Sequence, residues 1–213
     1  MTVGEDPLAT AVRRHWDAVY ERRQPTEVSW YQAEPETSLA LIGDLELASG
    51  AAIVDVGGGA SSLAARLLDR GFTDITVLDV SARALAVARA ALGRDAARVE
   101  WLEQDLLSWT PRARYDLWHD RAVFHFLVEP ARRERYAEVL RAALHARGKA
   151  VIGAFASDGP TRCSGLAVER YDPAGLAAVF APGFTVVATR REEHHTPGGA
   201  VQPFTWVTLE RRS

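Results

Sequence analysis

Cysteine occurs once in the 213 residues, at Cys163, which excludes an internal disulfide and suits a reducing compartment. Uninterrupted apolar stretches long enough to span a bilayer are missing. Positive charge is not in excess: 25 Lys and Arg stand against 28 Asp and Glu, a formal net charge of −3. The chain therefore lacks the electrostatic footprint that nucleic acid or an anionic membrane attracts. Arginines do cluster at Arg132-Arg133-Glu134-Arg135, but the interspersed acid reads as a solvated helix face. Neither a basic n-region nor an apolar h-region precedes Pro7, so no secretion signal is visible. Internal repeats and low-complexity tracts are absent too. We expect a soluble, cytoplasmic protein of one domain, monomeric or weakly dimeric, with no nucleic-acid or membrane partner and no resident metal.

What is present centres on Ile53-Val54-Asp55-Val56-Gly57-Gly58-Gly59-Ala60-Ser61. A β-branched run ends in an acid, breaks into glycines and enters a helical pattern. That is a parallel strand, a tight turn and a helix N-terminus, an arrangement that lets backbone approach a ligand closely. Upstream, Leu8, Val12, Trp16 and Val19 predict a helix from Pro7 to about Arg23, and Leu39, Ile42 and Leu45 a second from Glu36 to Leu47. Strands are predicted at Ala52–Val56, Ile75–Asp79, Val99–Glu103, Tyr115–Asp120 and Ala150–Phe155. Helices alternate with them at Ser61–Asp69, after the N-cap Ser81, and from Pro130 to His145. After a loop from Ser157 to Tyr171, Asp172 caps a short helix. Phe184–Glu192 and Phe204–Glu210 then read as an antiparallel pair. The expected fold is α/β: a doubly wound, mostly parallel seven-stranded sheet with an antiparallel C-terminal hairpin strand, helices on both faces and an N-terminal helical addition. Residues 1–50 would form the cap, 51–156 the core, and 157–213 a loop, helix and hairpin on the substrate side. The ligand crevice falls at the carboxyl ends of strands one, two and four.

Three acids sit at that crevice: Asp55 before the glycines, Asp79 ending strand two, and Asp105 after strand three. Asp79 is placed to accept two ribose hydroxyls, which suits either NAD or S-adenosylmethionine (SAM). The turn Gly57-Gly58-Gly59-Ala60-Ser61-Ser62 has serine where a dinucleotide fingerprint wants its third glycine. Asp55 would repel a pyrophosphate and suits a ligand carrying an ammonium and a sulfonium. These features, with Glu103-Gln104-Asp105-Leu106 and Tyr115-Asp116-Leu117-Trp118-His119-Asp120-Arg121, resemble the successive motifs of class I SAM-dependent methyltransferases from about Ala51 to Phe155. The resemblance implies that Gly57, Gly58 and Gly59 approach the methionine part of SAM, with Asp55 near its amino group. It implies Asp79 and Val80 at the ribose, Asp105 and Leu106 at the adenine, and Asp120 facing the reacting end.

For the methyl acceptor, Asp120-Arg121-Ala122-Val123 differs from the Pro-Pro pattern of methyltransferases acting on exocyclic base amines, which argues against DNA. Trp118 to Val123 resembles thiopurine methyltransferase-type enzymes, and His15-Trp16-Asp17 through Tyr20 to Ser29-Trp30-Tyr31 resembles protein-lysine methyltransferases. The expected activity is methyl transfer to a small-molecule nucleophile, nitrogen or sulfur favoured. The alternatives are a protein-lysine methyltransferase, a catalytically silent SAM-binding module and, less favoured, an NAD-dependent oxidoreductase. Besides Asp120, the catalytic candidates are His125, His194 and His195, with a histidine as base. Tyr20, Tyr31, Arg121 and Cys163 are the substrate-side candidates, and Trp30 a lid over the cofactor.

Overall fold

Side-chain alternation in two neighbouring strands decides which polar groups reach the crevice. β1 (Ala52–Val56) sends Val54 and Val56 to one face of the sheet and Ile53 and Asp55 to the other. β4 (Tyr115–Arg121) lies parallel beside it, setting Asp55 against His119 and Val56 against Asp120. β2 (Asp74–Asp79) and β3 (Val99–Glu103) extend the sheet on one side, and β5 (Leu144–Phe155) on the other. The last two strands, β8 (Phe184–His195) and β9 (Val201–Arg211), form a hairpin whose β9 pairs antiparallel with β5. The order is β3-β2-β1-β4-β5-β9-β8, so the strand order reverses between β1 and β4, where a crevice opens at the carboxyl ends. This is the mostly parallel seven-stranded sheet expected.

The computed structural model describes residues 7–213. Met1–Asp6, which begin the expected cap and were read for a secretion signal, lie outside the described residues. One face of the sheet packs on α2 (Glu36–Gly43), α3 (Leu63–Asp69) and Leu85 of α4 (Ala82–Leu92). The other packs on α5 (Pro130–Ala143) and α6 (Pro173–Phe180) through Tyr136, Leu140, Leu176 and Phe180. Two tryptophans buried in these layers satisfy their N–H groups. Trp118 Nε1 donates to Tyr136 Oη at 2.9 Å, and Trp206 Nε1 donates to Glu192 Oε2 at 2.8 Å. α1 (Pro7–Arg22) crosses the crevice and packs on α4. Ser81 and Asp172 cap α4 and α6 as expected, accepting from Ala84 N at 3.1 Å and Gly175 N at 2.6 Å. Each such cap contributes about 1 kcal/mol. Among the described residues no helix is long and apolar enough to cross a membrane.

Several boundaries differ from expectation, each for a local reason. α2 stops at Gly43, because Leu45 N bonds to Ile42 O and Glu46 turns left-handed at φ 49°. α5 stops at Ala143 and β5 begins at once, pairing Leu144 with Tyr115 before its register jumps to Lys149 opposite Leu117. Residues 145–148 bulge there, around Arg147 at φ 65°. The hairpin strands also run longer than predicted, so His194 and His195 lie within β8. The 157–171 loop folds a small hairpin of its own, β6 (Arg162–Cys163) with β7 (Leu166–Ala167). Ser164 at φ 50° and Gly165 at φ 80° turn it, as a two-residue primed turn requires.

Candidate active site

At the strand reversal, two adjoining cavities share the walls Tyr20, Trp30, Val56, Gly57 and Arg121. The larger, about 360 Å³, runs from Asp79, Val80, Asp105 and Leu106 to Trp16, Phe126, Cys163 and Leu166. The smaller, about 60 Å³, is walled by Asp55, Gly57, Gly58, Ser61, Tyr31 and His119. Thus the strand-end acids, the glycine turn, Tyr20, Trp30, Tyr31, Arg121 and Cys163 meet in one place.

The turn after β1 needs glycine for two separate reasons. Gly57 and Gly59 are left-handed, at φ 63° and 46°, and Gly57 N donates to Leu78 O at 2.7 Å, tying the turn to β2. Gly58 is packed too tightly for a side chain: a Cβ would lie 2.5 Å from Asp55 Oδ2 and 2.8 Å from Val77 Cγ1. Gly58→Ala should therefore destabilise the protein by about 1–3 kcal/mol, the usual cost of overpacking. A thermal melt unchanged from wild type would show that the turn tolerates a methyl group there.

Asp55 does not stand alone. Its Oδ1 lies 2.7 Å from His119 Nδ1, and His119 Nε2 lies 2.9 Å from Ser38 Oγ on α2, with both ionisable groups buried. The parallel register dictates this contact, since Asp55 and His119 are direct partners on the same face. Sequence reading placed His119 in the sheet but missed its partner. Asp79 accepts from Ser81 N at 2.8 Å, and its Oδ2 would sit 3.1 Å from a Cβ on Gly59, as would Tyr20 Oη. Burial pushes the Asp79 carboxyl up to about 7, against the pull of the Ser81 and Gly59 N–H groups. Burial, then the charge of Asp79, pushes the Tyr20 phenol up to about 12. Asp105 Oδ1 accepts from Ser108 N at 3.0 Å, holding the loop that brings Leu106 to the wall.

Above the cavity, Trp16 and Trp30 meet edge to face at 5.6 Å between centroids, and Trp16 meets Phe126 at 5.2 Å. Trp30 Nε1 donates to Tyr20 Oη at 3.3 Å. Asp17 accepts from Ser81 Oγ at 2.6 Å and fastens α1 to the start of α4. Trp16, Phe126 and Leu166 were not among the sequence candidates. Nothing local marks an apolar residue as cavity wall rather than core. Cys163 lines the apolar end, and burial pushes its thiol up to about 11.

The four expected catalytic side chains are placed elsewhere. Asp120 alternates to the opposite face from Asp55 and His119. It is fully buried and accepts from Tyr136 Oη at 2.6 Å, Val123 N at 2.9 Å and Phe124 N at 3.1 Å. Its carboxylate holds the turn after β4, where Ala122 sits at φ 74°, instead of facing the cavity. His125 is buried between Phe126 and Phe155, with Nδ1 accepting from Phe155 N at 3.3 Å. Burial and then Arg121 push it down to about 3. His194 donates from Nε2 to Ser29 O at 2.7 Å and is held below the ordinary histidine value by burial and by Arg121. His195, next along the strand, points the other way and is exposed. A histidine pocket with Cys163 is therefore not assembled. Among the described residues no group of three or more His, Cys, Asp and Glu is placed to hold a metal ion.

A family model for a methyltransferase domain matches residues 53–148. A sequence search of curated proteins finds no match. Among solved structures, the chain is similar to a protein studied in the conversion of a disulfide bond into a thioacetal group during echinomycin biosynthesis. The TM-score is 0.75 at 22% identity, over 94% of this chain and 93% of that one. It is similar at the same score and identity to the 1,6-didemethyltoxoflavin-N1-methyltransferase of Burkholderia thailandensis, over 98% and 92%. Magnesium protoporphyrin IX methyltransferase from Synechocystis follows the same path with a TM-score of 0.71 at 15% identity, over 95% and 99%. The matched domain, the strand order and the glycine turn between three acids lead to one conclusion: residues 53–148 are a methyltransferase domain, set in a chain with the fold of the class I SAM-dependent methyltransferases.

Proposed function

We propose that the protein transfers the methyl group of SAM to a small-molecule nucleophile, with nitrogen or sulfur as the accepting atom. The observation that carries this reading is the larger cavity, which is acidic at the end toward β2 and β3 and apolar beneath Trp16, Phe126 and Leu166. One end suits a nucleoside and the other a hydrophobic acceptor. The residues fit the cofactor. Gly57 and Gly59 make the left-handed turn that carries the chain past the cavity, the buried Asp79 carboxyl lies on the wall of the larger cavity, and Asp55 lines the recess beside it. In this reading Asp55 and the three glycines hold the methionine portion, Asp79 and Val80 the ribose, and Asp105 and Leu106 the adenine.

Bound SAM supplies a methyl group already activated by its sulfonium. The protein's task is alignment and exclusion of water. Trp16, Trp30 and Phe126 roof the cavity, and Asp17 keeps α1 over it. Among the described residues, the larger cavity's carboxyls are Asp79, Asp105 and Glu129, and its apolar wall of Trp16, Phe126 and Leu166 holds none of the candidate histidines. The Cys163 thiol stays protonated, Arg121 is a cation, and the histidines lie outside. With no histidine at hand, an acceptor that ionises readily or presents a lone pair is favoured, which suits thiols and neutral amines better than alcohols. The small molecules named for the toxoflavin and protoporphyrin enzymes support an acceptor of this size.

Incubation with labelled SAM against small thiols, small amines and cell-extract protein tests this. Label is expected on a small molecule, with kcat/KM rising with pH through the acceptor's own pKa. His194→Ala and His195→Ala should each retain turnover. Label on protein lysines would establish a protein-lysine methyltransferase instead. Tight SAM binding with no labelled product of any kind would establish a silent binding module.

A further inference from the structure

The guanidinium at the junction of the two cavities has unused hydrogen-bonding capacity. Arg121 ends β4 with its side chain 10% exposed. Its Nη1 donates to Trp30 O at 3.0 Å, and its guanidinium carbon lies 4.7 Å from the centre of the Phe204 ring. Nε and Nη2, the edge that pairs bidentately with a carboxylate, are buried and make no hydrogen bond. The nearest acid, Glu192, stands 3.9 Å from Nη2. Both of its oxygens are already engaged, Oε1 by Gln32 at 2.9 Å and Oε2 by Trp206 at 2.8 Å. Two buried donors left without acceptors are costly, and they mark a place where a ligand group completes the structure.

We infer that the acceptor is an apolar, ring-sized molecule carrying one acidic group, and that Arg121 is the residue that binds that group. The inference rests on the methyl-transfer reading above and adds the chemical class of the acceptor. Three observations converge on it. Trp30, Phe204 and Glu192, which hold or pack on Arg121, come from the N-terminal cap and the terminal hairpin, and the guanidinium walls the larger cavity as well as the recess beside the glycine turn. The cavity beyond Arg121 is walled by Trp16, Phe126, Cys163 and Leu166, which suit a flat hydrophobic body. Glu192 gives both oxygens to Gln32 and Trp206, so the Nε and Nη2 edge of Arg121 is left for an acidic group on a ligand to complete. A small rotation of the guanidinium away from Glu192 would present the Nε and Nη2 edge to that group.

The test uses the full-length protein with two aromatic thiols that differ in one group, mercaptobenzoate (each ring isomer) and benzenethiol. Titration into protein loaded with S-adenosylhomocysteine (SAH) gives affinities, and turnover with SAM gives kcat/KM. Wild type should prefer a mercaptobenzoate over benzenethiol. Arg121→Met should reduce that preference by about 10- to 100-fold, the worth of a hydrogen-bonded charged group. Arg121→Lys, which keeps the charge and loses the fork, should recover only part. SAH affinity should stay within about threefold of wild type. A parallel loss of SAH affinity in Arg121→Met would assign Arg121 to the donor's carboxylate and overturn the inference. Equal handling of the two thiols by wild type, or failure of both to bind SAH-loaded protein, would overturn it as well. Failure of wild type to bind SAH at all would instead remove the methyl-transfer reading beneath it.

Discussion

Asp79→Ala is expected to weaken SAH binding by about 10- to 100-fold, the worth of a hydrogen-bonded charged group, and to leave the protein folded. The carboxyl is buried at the end of β2, with Ser81 N at 2.8 Å as its one close donor outside the glycine turn. Burial raises its pKa to about 7, while the unfolded chain releases the same proton near the ordinary aspartate value of about 3.9. Across that window the native state holds more protons than the unfolded state. Stability from this group is therefore full below about 4, falls as pH rises through 7, and stays reduced above it. Alanine removes that penalty together with the Ser81 hydrogen bond. Its melting temperature at pH 8 should equal or exceed that of wild type. Ribose hydroxyls donate best to the ionised carboxylate, so wild-type affinity for SAH should strengthen as pH rises through about 7 and then level off. The substitution should abolish that slope. Calorimetry across pH 6 to 8 checks both effects. An unchanged dissociation constant in Asp79→Ala would take Asp79 out of the site.

Asp120→Ala should do the reverse: lose about 3–5 kcal/mol of stability, the cost of breaking a buried charged network, and lower the melting temperature by roughly 10 °C. Asp120 is also buried, and burial also raises its carboxyl, to about 6, against the pull of Tyr136 and the Val123 N–H. The difference lies in its partners. Tyr136 Oη, Val123 N and Phe124 N all donate to it, and alanine strands the three at once in a layer without water. The same carboxylate supports the left-handed Ala122 and hence the start of the segment that places Val123 and Phe126 against the cavity. Activity lost in this variant should track loss of fold, measured by denaturant titration. A normal melt with abolished turnover would return Asp120 to the chemistry. The pair of substitutions thus separates two acids that look alike in the sequence, each ending a strand beside the crevice.

Much of the architecture was legible because it is encoded locally. The apolar runs Ile53–Val56 and Ile75–Leu78, the glycines at 57–59, and the caps Ser81 and Asp172 state their secondary structure within a few residues. The acids that wall the crevice were legible for the same reason, since Asp55 and Asp79 follow from position along a strand and Asp105 from the loop just after one. The histidines were misplaced because strand length and facing are set by partners. β8 extends to His195 only because β9 is there to pair with it, and residue-by-residue alternation then buries His194 and exposes His195. Alternation also turns Asp120 away from its neighbour His119. The opposite facing was readable from Trp118-His119-Asp120 alone; that His119 is the one sharing a face with Asp55 needs the register with β1.

The sequence by itself determined the strands, the close-approach turn and the acids around it, because backbone geometry and short-range sterics decide these without distant partners. Only the tertiary structure decided which polar groups are spent on the fold and which remain for a ligand. Asp120 is consumed by Tyr136 from a helix beyond the strand, Asp55 is joined to His119 across the sheet, and Arg121 is left with two unpaired donors between the cap and the terminal hairpin. Each of those outcomes depends on elements far apart in the chain meeting in a dry interior, where every hydrogen bond made or missed carries weight.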